Sequence, residues 1–157
     1  MNNEMILSAA LRIEGHAVRT PLLNAPLLDA KFGRRIFVKA ECLQKTGSFK
    51  YRGARSAISA LDDGARAKGV LAYSSGNHAQ GVALAARTLG LPATIVMPRT
   101  TPAIKVDAVR SLGADAVLHG DDFDTALAEA LMLAELRGLA FIHPFDSPET
   151  IAGQGTV

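Results

Sequence analysis

Two short stretches hold side chains able to do chemistry. The first is "TGSFKYRGA", residues 46–54, where Lys50 follows a Gly-Ser turn and precedes a helix-forming run. An amine at a helix start faces the positive end of the macrodipole, so helix stability alone does not account for it. A buried amine has a lowered pKa and can attack a carbonyl to form a Schiff base. A solvated surface lysine is the other reading of Lys50 taken alone. The second stretch is "YSSGNHAQG", residues 73–81. Backbone N–H groups at a helix N-terminus form an anion site. Ser74 and Ser75 add hydroxyls, Gly76 lets backbone approach a ligand, and Asn77 adds an amide. No carboxylate sits in this loop to repel an anion. A capped strand-to-helix turn would use many of the same residues.

Both stretches need elements to hold them. The pattern alternates strand and helix. Strands are predicted around 36–40, 70–74, 93–98, 115–119 and 139–144. Ser48 is the expected cap of a helix reaching Leu61, with Ala54, Ala57, Ile58 and Leu61 on one face. Further helices are predicted over 79–89, from Thr101 and Pro102 to Gly113, and over 121–138. In the last of these Phe123, Leu127, Ala130, Leu131 and Ala134 form the expected apolar stripe. Ser147, Pro148 and Glu149 open one more helix close to the final residue. The chain is therefore expected to be a truncated piece of a longer one. The alternation implies an α/β fold of open parallel sheets with helices on both faces. Ligands then bind beyond the C-terminal ends of the strands, where both loops lie.

Composition narrows the function. The 157 residues carry a net charge of +2, with 48% hydrophobic, 20% charged and 5% aromatic residues. No basic cluster or stacking platform for nucleic acid is evident. No apolar run reaches the roughly 20 residues of a bilayer span, and the N-terminus lacks the layout of a signal peptide. The single Cys42 excludes an internal disulfide and a cysteine zinc cluster, and is expected to be a small buried apolar group. These features place the protein in the cytoplasm.

The stretches "KAECLQKTGSFKYRGA" (39–54) and "SSGNHAQGVALAA" (74–86) resemble the fold-type II pyridoxal-phosphate enzymes, in particular the threonine/serine dehydratase and serine racemase group. "VRTPLL" (18–23), "IVMPRTTPAIKVDAVRSLGADAVLHG" (95–120) and "HPFDSPETIAGQGT" (143–156) are similar to that family too, in the same order. The resemblance implies a tryptophan-synthase-β-like fold and pyridoxal 5'-phosphate as cofactor. It implies an incomplete large domain, 1–52 with 146–157, and a small α/β domain, 53–145. Lys50 would be the Schiff-base lysine and the base that removes the α-proton, with Phe49 packed beside the cofactor. Asn77 would bond the cofactor's phenolic oxygen. Ser74, Ser75, Gly76, Asn77 and His78 would hold the substrate carboxylate. No metal ligand is expected among these residues.

The implied reaction is elimination of ammonia from L-threonine or L-serine to give a 2-oxo acid, by a protein that is a homo-oligomer when full length. Many dehydratases resemble "SAGNHAQG" where this chain has "SSGNHAQG"; the racemases carry the second serine, as Ser75. Ser75 would then be the acid/base on the face opposite Lys50. Amino-acid racemisation and 3-hydroxyaspartate dehydration are therefore alternatives, as is an inactive ligand-binding fragment. The family's glycine-rich phosphate loop and divalent-cation site would lie beyond residue 157; "GQG" at 153–155 is not that loop. Tyr51, Arg52, His16, His119 and His143 are read as structural.

Overall fold

The computed structural model describes residues 2–157. Helix α1 (Asn3–Ile13) starts on Asn2, whose side chain accepts from the Met5 amide. Strand β1 (Leu22–Asn24), helix α2 (Pro26–Phe32) and strand β2 (Phe37–Lys39) follow. β1 and β2 pair antiparallel, with Leu23 opposite Val38. The expected strand at 36–40 thus forms, but outside the parallel sheet. Two 3-10 turns, Glu41–Leu43 and Lys45–Gly47, lead into α3 (Lys50–Ser59).

From there the chain alternates α4 (Asp63–Lys68), β3 (Val70–Tyr73), α5 (Asn77–Leu89), β4 (Ala93–Met97), α6 (Ala103–Ser111), β5 (Asp115–Leu118), α7 (Phe123–Arg137), β6 (Ala140–Phe141) and α8 (Pro148–Gln154). The four strands form one parallel sheet in the order β5-β4-β3-β6. The chain builds outward from β3 through β4 to β5, then crosses back to add β6 on the other side of β3. The sheet's switch point therefore lies between β3 and β6. One core joins α3, α5 and α6 to the sheet through Ile58, Val70, Val82, Ile95, Met97 and Val109. A second core on the opposite face joins α7 to Leu71 and Val96. Alternating strand residues serve opposite cores, as the period of two requires.

Four local expectations are corrected. Ser48 has extended backbone and its buried hydroxyl has no partner; Phe49 takes the cap position of α3. The buried stripe of α7 is Ala126, Ala130 and Leu133, while Phe123 and Leu131 are exposed. The helix is turned so that small alanines meet the sheet closely. Cys42 is exposed, in a 3-10 turn that buries none of its residues. The last predicted strand is also shorter: its ladder ends at Phe141 opposite Leu71.

Helix α3 is buried from Tyr51 to Ile58, so its predicted single apolar face understates its contacts. It meets α8 through two glycines. A Cβ on Gly153 would stand 2.7 Å from the Gly53 Cα, and one on Gly53 would stand 2.9 Å from the Thr150 carbonyl oxygen. The "GQG" run thus serves helix packing. Ser147 caps α8 as predicted, accepting from the Thr150 amide. No helix among the described residues is long and apolar enough to cross a membrane.

Candidate active site

Lys50 is the first residue of α3, and the segment that delivers it is strained. Thr46 has φ 62°, an unusual value for a β-branched residue, and Gly47 follows at φ 72°. Two successive left-handed residues turn the chain sharply before the helix. The Thr46 and Ser48 hydroxyls are buried without partners. Unsatisfied buried hydroxyls are costly, and strain of this kind clusters at functional sites.

The Lys50 amine donates to the Pro144 carbonyl oxygen at 2.7 Å. It forms no ion pair among the described residues. Burial lowers its pKa from the usual lysine value. The free-base form, which is the nucleophile, is therefore reached at lower pH. Phe49 is exposed, and its ring centroid lies 5.4 Å from the Lys50 Nζ. Arg52, two residues on and on the opposite side of the same helix, points elsewhere. It makes two 2.8 Å bonds to the Glu41 carboxylate and a third, at 3.0 Å, to the Val18 carbonyl. The structural readings of Arg52 and Tyr51 fit these positions, with Tyr51 wholly buried.

The second loop follows β3. Ser74 donates its amide to the Val96 carbonyl at the end of the ladder, and its hydroxyl accepts from the Gly76 amide at 3.1 Å. Gly76 occupies the cap position of α5 without a side-chain cap, and Asn77 begins the helix, exposed. Among the described residues, no acceptor reaches the amides of Ser75, Asn77, His78 or Ala79. A cluster of unpaired N–H groups at a helix start suits a carboxylate or phenolate oxygen.

His78 is placed differently from its neighbours. Its ring turns inward, and Nε2 lies 2.9 Å from the Ile142 carbonyl oxygen. A carbonyl only accepts, so Nε2 carries the proton. Burial is the main cause that lowers its pKa to about 4, with Lys50 and His143 adding to the effect. The ring is neutral near neutral pH, and only the backbone N–H of His78 faces the loop.

The two stretches meet at the switch point. The loop after β3 carries the free amides, and the loop after β6 carries the Pro144 carbonyl that receives Lys50. Two residues without an expected role help to assemble them. Gly81 lets α5 approach the first turn of α3: a Cβ there would stand 3.2 Å from the Lys50 carbonyl carbon. A glycine inside a helical run was its sequence signal. Pro144 acts through its backbone, so its side chain gave no signal. A surface groove lined by Leu7, Leu11, Val18, Lys39 and Val157 lies elsewhere and does not include Lys50.

The residues present suit pyridoxal phosphate. An amine with no carboxylate partner, unsatisfied hydroxyls just before it and free amides across the crevice form an appropriate donor set. Comparison with known proteins agrees. Residues 13–157 match the family model for pyridoxal-phosphate dependent enzymes. The chain is 50% identical over 151 residues to an L-threo-3-hydroxyaspartate ammonia-lyase of a Pseudomonas species, covering 96% of this chain and 47% of that protein. It is 49% identical over 154 residues to an L-threonine ammonia-lyase of Thermotoga maritima, covering 98% and 38%. Maize serine racemase superposes with a TM-score of 0.94 at 43% identity, over 98% of this chain and 46% of that one. The chain thus spans about half the length of these relatives or less. By motif, fold and match together, it belongs to the pyridoxal-phosphate dependent enzymes.

Proposed function

We propose that the whole protein is a dehydratase that converts L-threonine or L-serine to a 2-oxo acid and ammonia. The observation that carries this reading is the Lys50 amine, held by the Pro144 carbonyl without a counter-charge at the switch point. Lys50 would anchor the cofactor covalently and, once freed, take the α-proton as general base. Burial favours its neutral form, which both roles require. Asn77 would bond the cofactor's phenolic oxygen, and Phe49 would pack beside its ring. Ser74, Ser75, Gly76, Asn77 and the His78 amide would orient the substrate carboxylate. Pyridoxal phosphate, when bound, supplies an electron sink for the carbanion at the α-carbon.

A second reading is racemisation. It rests on Ser75, whose hydroxyl has no partner among the described residues and whose position in the loop suits an opposite-face acid/base. Dehydration of 3-hydroxyaspartate is compatible with the same residues. We further place the protein in the cytoplasm as a homo-oligomer, with 1–52 and 146–157 in a large domain and 53–145 in a small one.

The test is direct. The intact protein should show the visible absorbance band of lysine-bound cofactor. Borohydride should fix the cofactor on Lys50, as read by peptide mass spectrometry. Lys50→Ala should lose the band; if the variant keeps it, the anchor is wrong. A protein without the band would be a ligand-binding chain only. Product analysis from L-serine then decides between the reactions. Pyruvate without D-serine supports dehydration, and D-serine lost in Ser75→Ala supports racemisation.

A further inference from the structure

The loop after β6 is tied down by two histidine rings that the proposed reaction does not use. His78 reaches across from α5 and donates Nε2–H to the Ile142 carbonyl at 2.9 Å. His143 works within the loop. Its Nδ1 lies 2.7 Å from the Asp146 amide and 3.3 Å from the Phe145 amide. An amide only donates, so Nδ1 is unprotonated and accepts from both. The Thr150 hydroxyl fixes the same residue from α8, donating to the His143 carbonyl at 3.2 Å. The rings of Phe141 and Phe145 flank His143 at 6.0 and 4.7 Å between centroids. Between the two anchored carbonyls and the anchored turn lies Pro144, whose carbonyl receives the Lys50 amine.

We propose that His78 and His143 are positioning residues for Lys50: together they hold the 142–146 turn in the conformation that presents the Pro144 carbonyl to the lysine amine. His78 ties the turn to the loop of free amides, and His143 gives it its shape. The two sides of the switch point are thereby fixed relative to each other and to Lys50. The inference rests on the proposed function for its catalytic meaning. The geometry itself concerns only where the amine is held. His78 feels the charges of both Lys50 and His143, and none of the three forms an ion pair with a carboxylate among the described residues.

The test reads Lys50 without cofactor. The intact protein, freed of any lysine-bound cofactor with hydroxylamine, is labelled with trinitrobenzenesulfonate across a pH series, and Lys50 is followed by peptide mass spectrometry. The exposed Lys31 and Lys105 serve as internal references. Burial holds the Lys50 amine down, so a loosened turn hydrates it and raises its labelling midpoint. In His78→Ala and His143→Ala we expect that rise, with labelling at about pH 8 slowed by roughly threefold or more. Amide variants give a pattern that mere packing would not. Asn places an acceptor where Nδ1 stood, and Gln places a donor where Nε2 stood. His143→Asn and His78→Gln should therefore keep the native midpoint; His143→Gln and His78→Asn should not. If the alanine variants do not fold, the amide pairs decide alone. A native midpoint in all variants, or identical behaviour within each Asn/Gln pair, overturns the proposal. Failure of the cofactor band with a normal labelling pattern would sink the proposed function and leave this inference standing.

Discussion

The parallel sheet and the antiparallel β1–α2–β2 segment use similar apolar residues to opposite ends. In β3 and β4, Leu71, Ile95 and Val96 are wholly buried between two helical layers. In the other segment, α2 has no buried residue, and Leu27 is 88% exposed. Leu22, Phe32, Phe37 and Val38 are exposed as well. Both regions have regular hydrogen bonding. Only one converts its apolar content into a core, because only one has helices against both faces. The site belongs to the first kind of region. Its loops leave the ends of buried strands, so they start from fixed points, while the β1–β2 ladder is held mainly by its own short pairing.

One side chain bridges the contrast. Arg52, on the buried helix α3, grips Glu41 and the Val18 carbonyl beside the exposed segment. The pair is well shielded, with side chains 6% and 11% exposed. Arg52→Ala leaves a buried carboxylate unpaired and should cost about 3–5 kcal/mol in denaturant unfolding. A loss near zero would break the view that this clamp joins the regions. Acid should act on the same contact. Bonding to Arg52 is the main cause that holds the Glu41 carboxyl below its usual range, against an opposing effect of burial. A folded value below the unfolded one gives stability that is complete above the ordinary glutamate range. It is lost as pH falls through the folded value. Glu41→Gln should flatten that part of the acid-unfolding profile.

Within the sheet, Leu71→Ala should cost about 3 kcal/mol, since it empties space in a packed interior. At the other extreme, Leu27→Ser should shift stability by about 0.5 kcal/mol or less. Hydrogen exchange would sharpen the same contrast. Amides of β3 and β4 should exchange only with global unfolding, and those of β1 and β2 through local opening. Equal protection in the two would break it.

The sequence made the sheet elements legible because strand burial on both faces leaves a dense apolar run, as in "ATIVM". It also showed Lys50 and the 74–78 loop, since their chemistry is carried by side chains and turn residues. It was less informative wherever a distant partner decided the outcome. Ser48 had the chemistry of a cap, but the left-handed turn at Thr46 and Gly47 set its backbone extended. The α7 stripe was misplaced because alanine carries little periodic signal, yet Ala126 and Ala130 are the residues that let the helix approach the sheet. The Pro144 carbonyl could not be seen at all, since any residue has one. His143 looked ordinary, and His78 was expected only as a carboxylate-binding residue, because the partners of both rings are backbone groups of a loop joined to the site only by the crossover to β6.

The Gly53–Gly153 contact has a consequence for how this chain can vary. Most helix crossings tolerate drift, because a larger side chain on one helix is offset by a smaller one on the other. Here neither position can shrink further, so no second change at the contact compensates a first. In a deep mutational library selected for folding, both positions should stay glycine independently, without covariation. The helix that starts with Lys50 is thus fixed in place by two residues that have no side chain with which to negotiate.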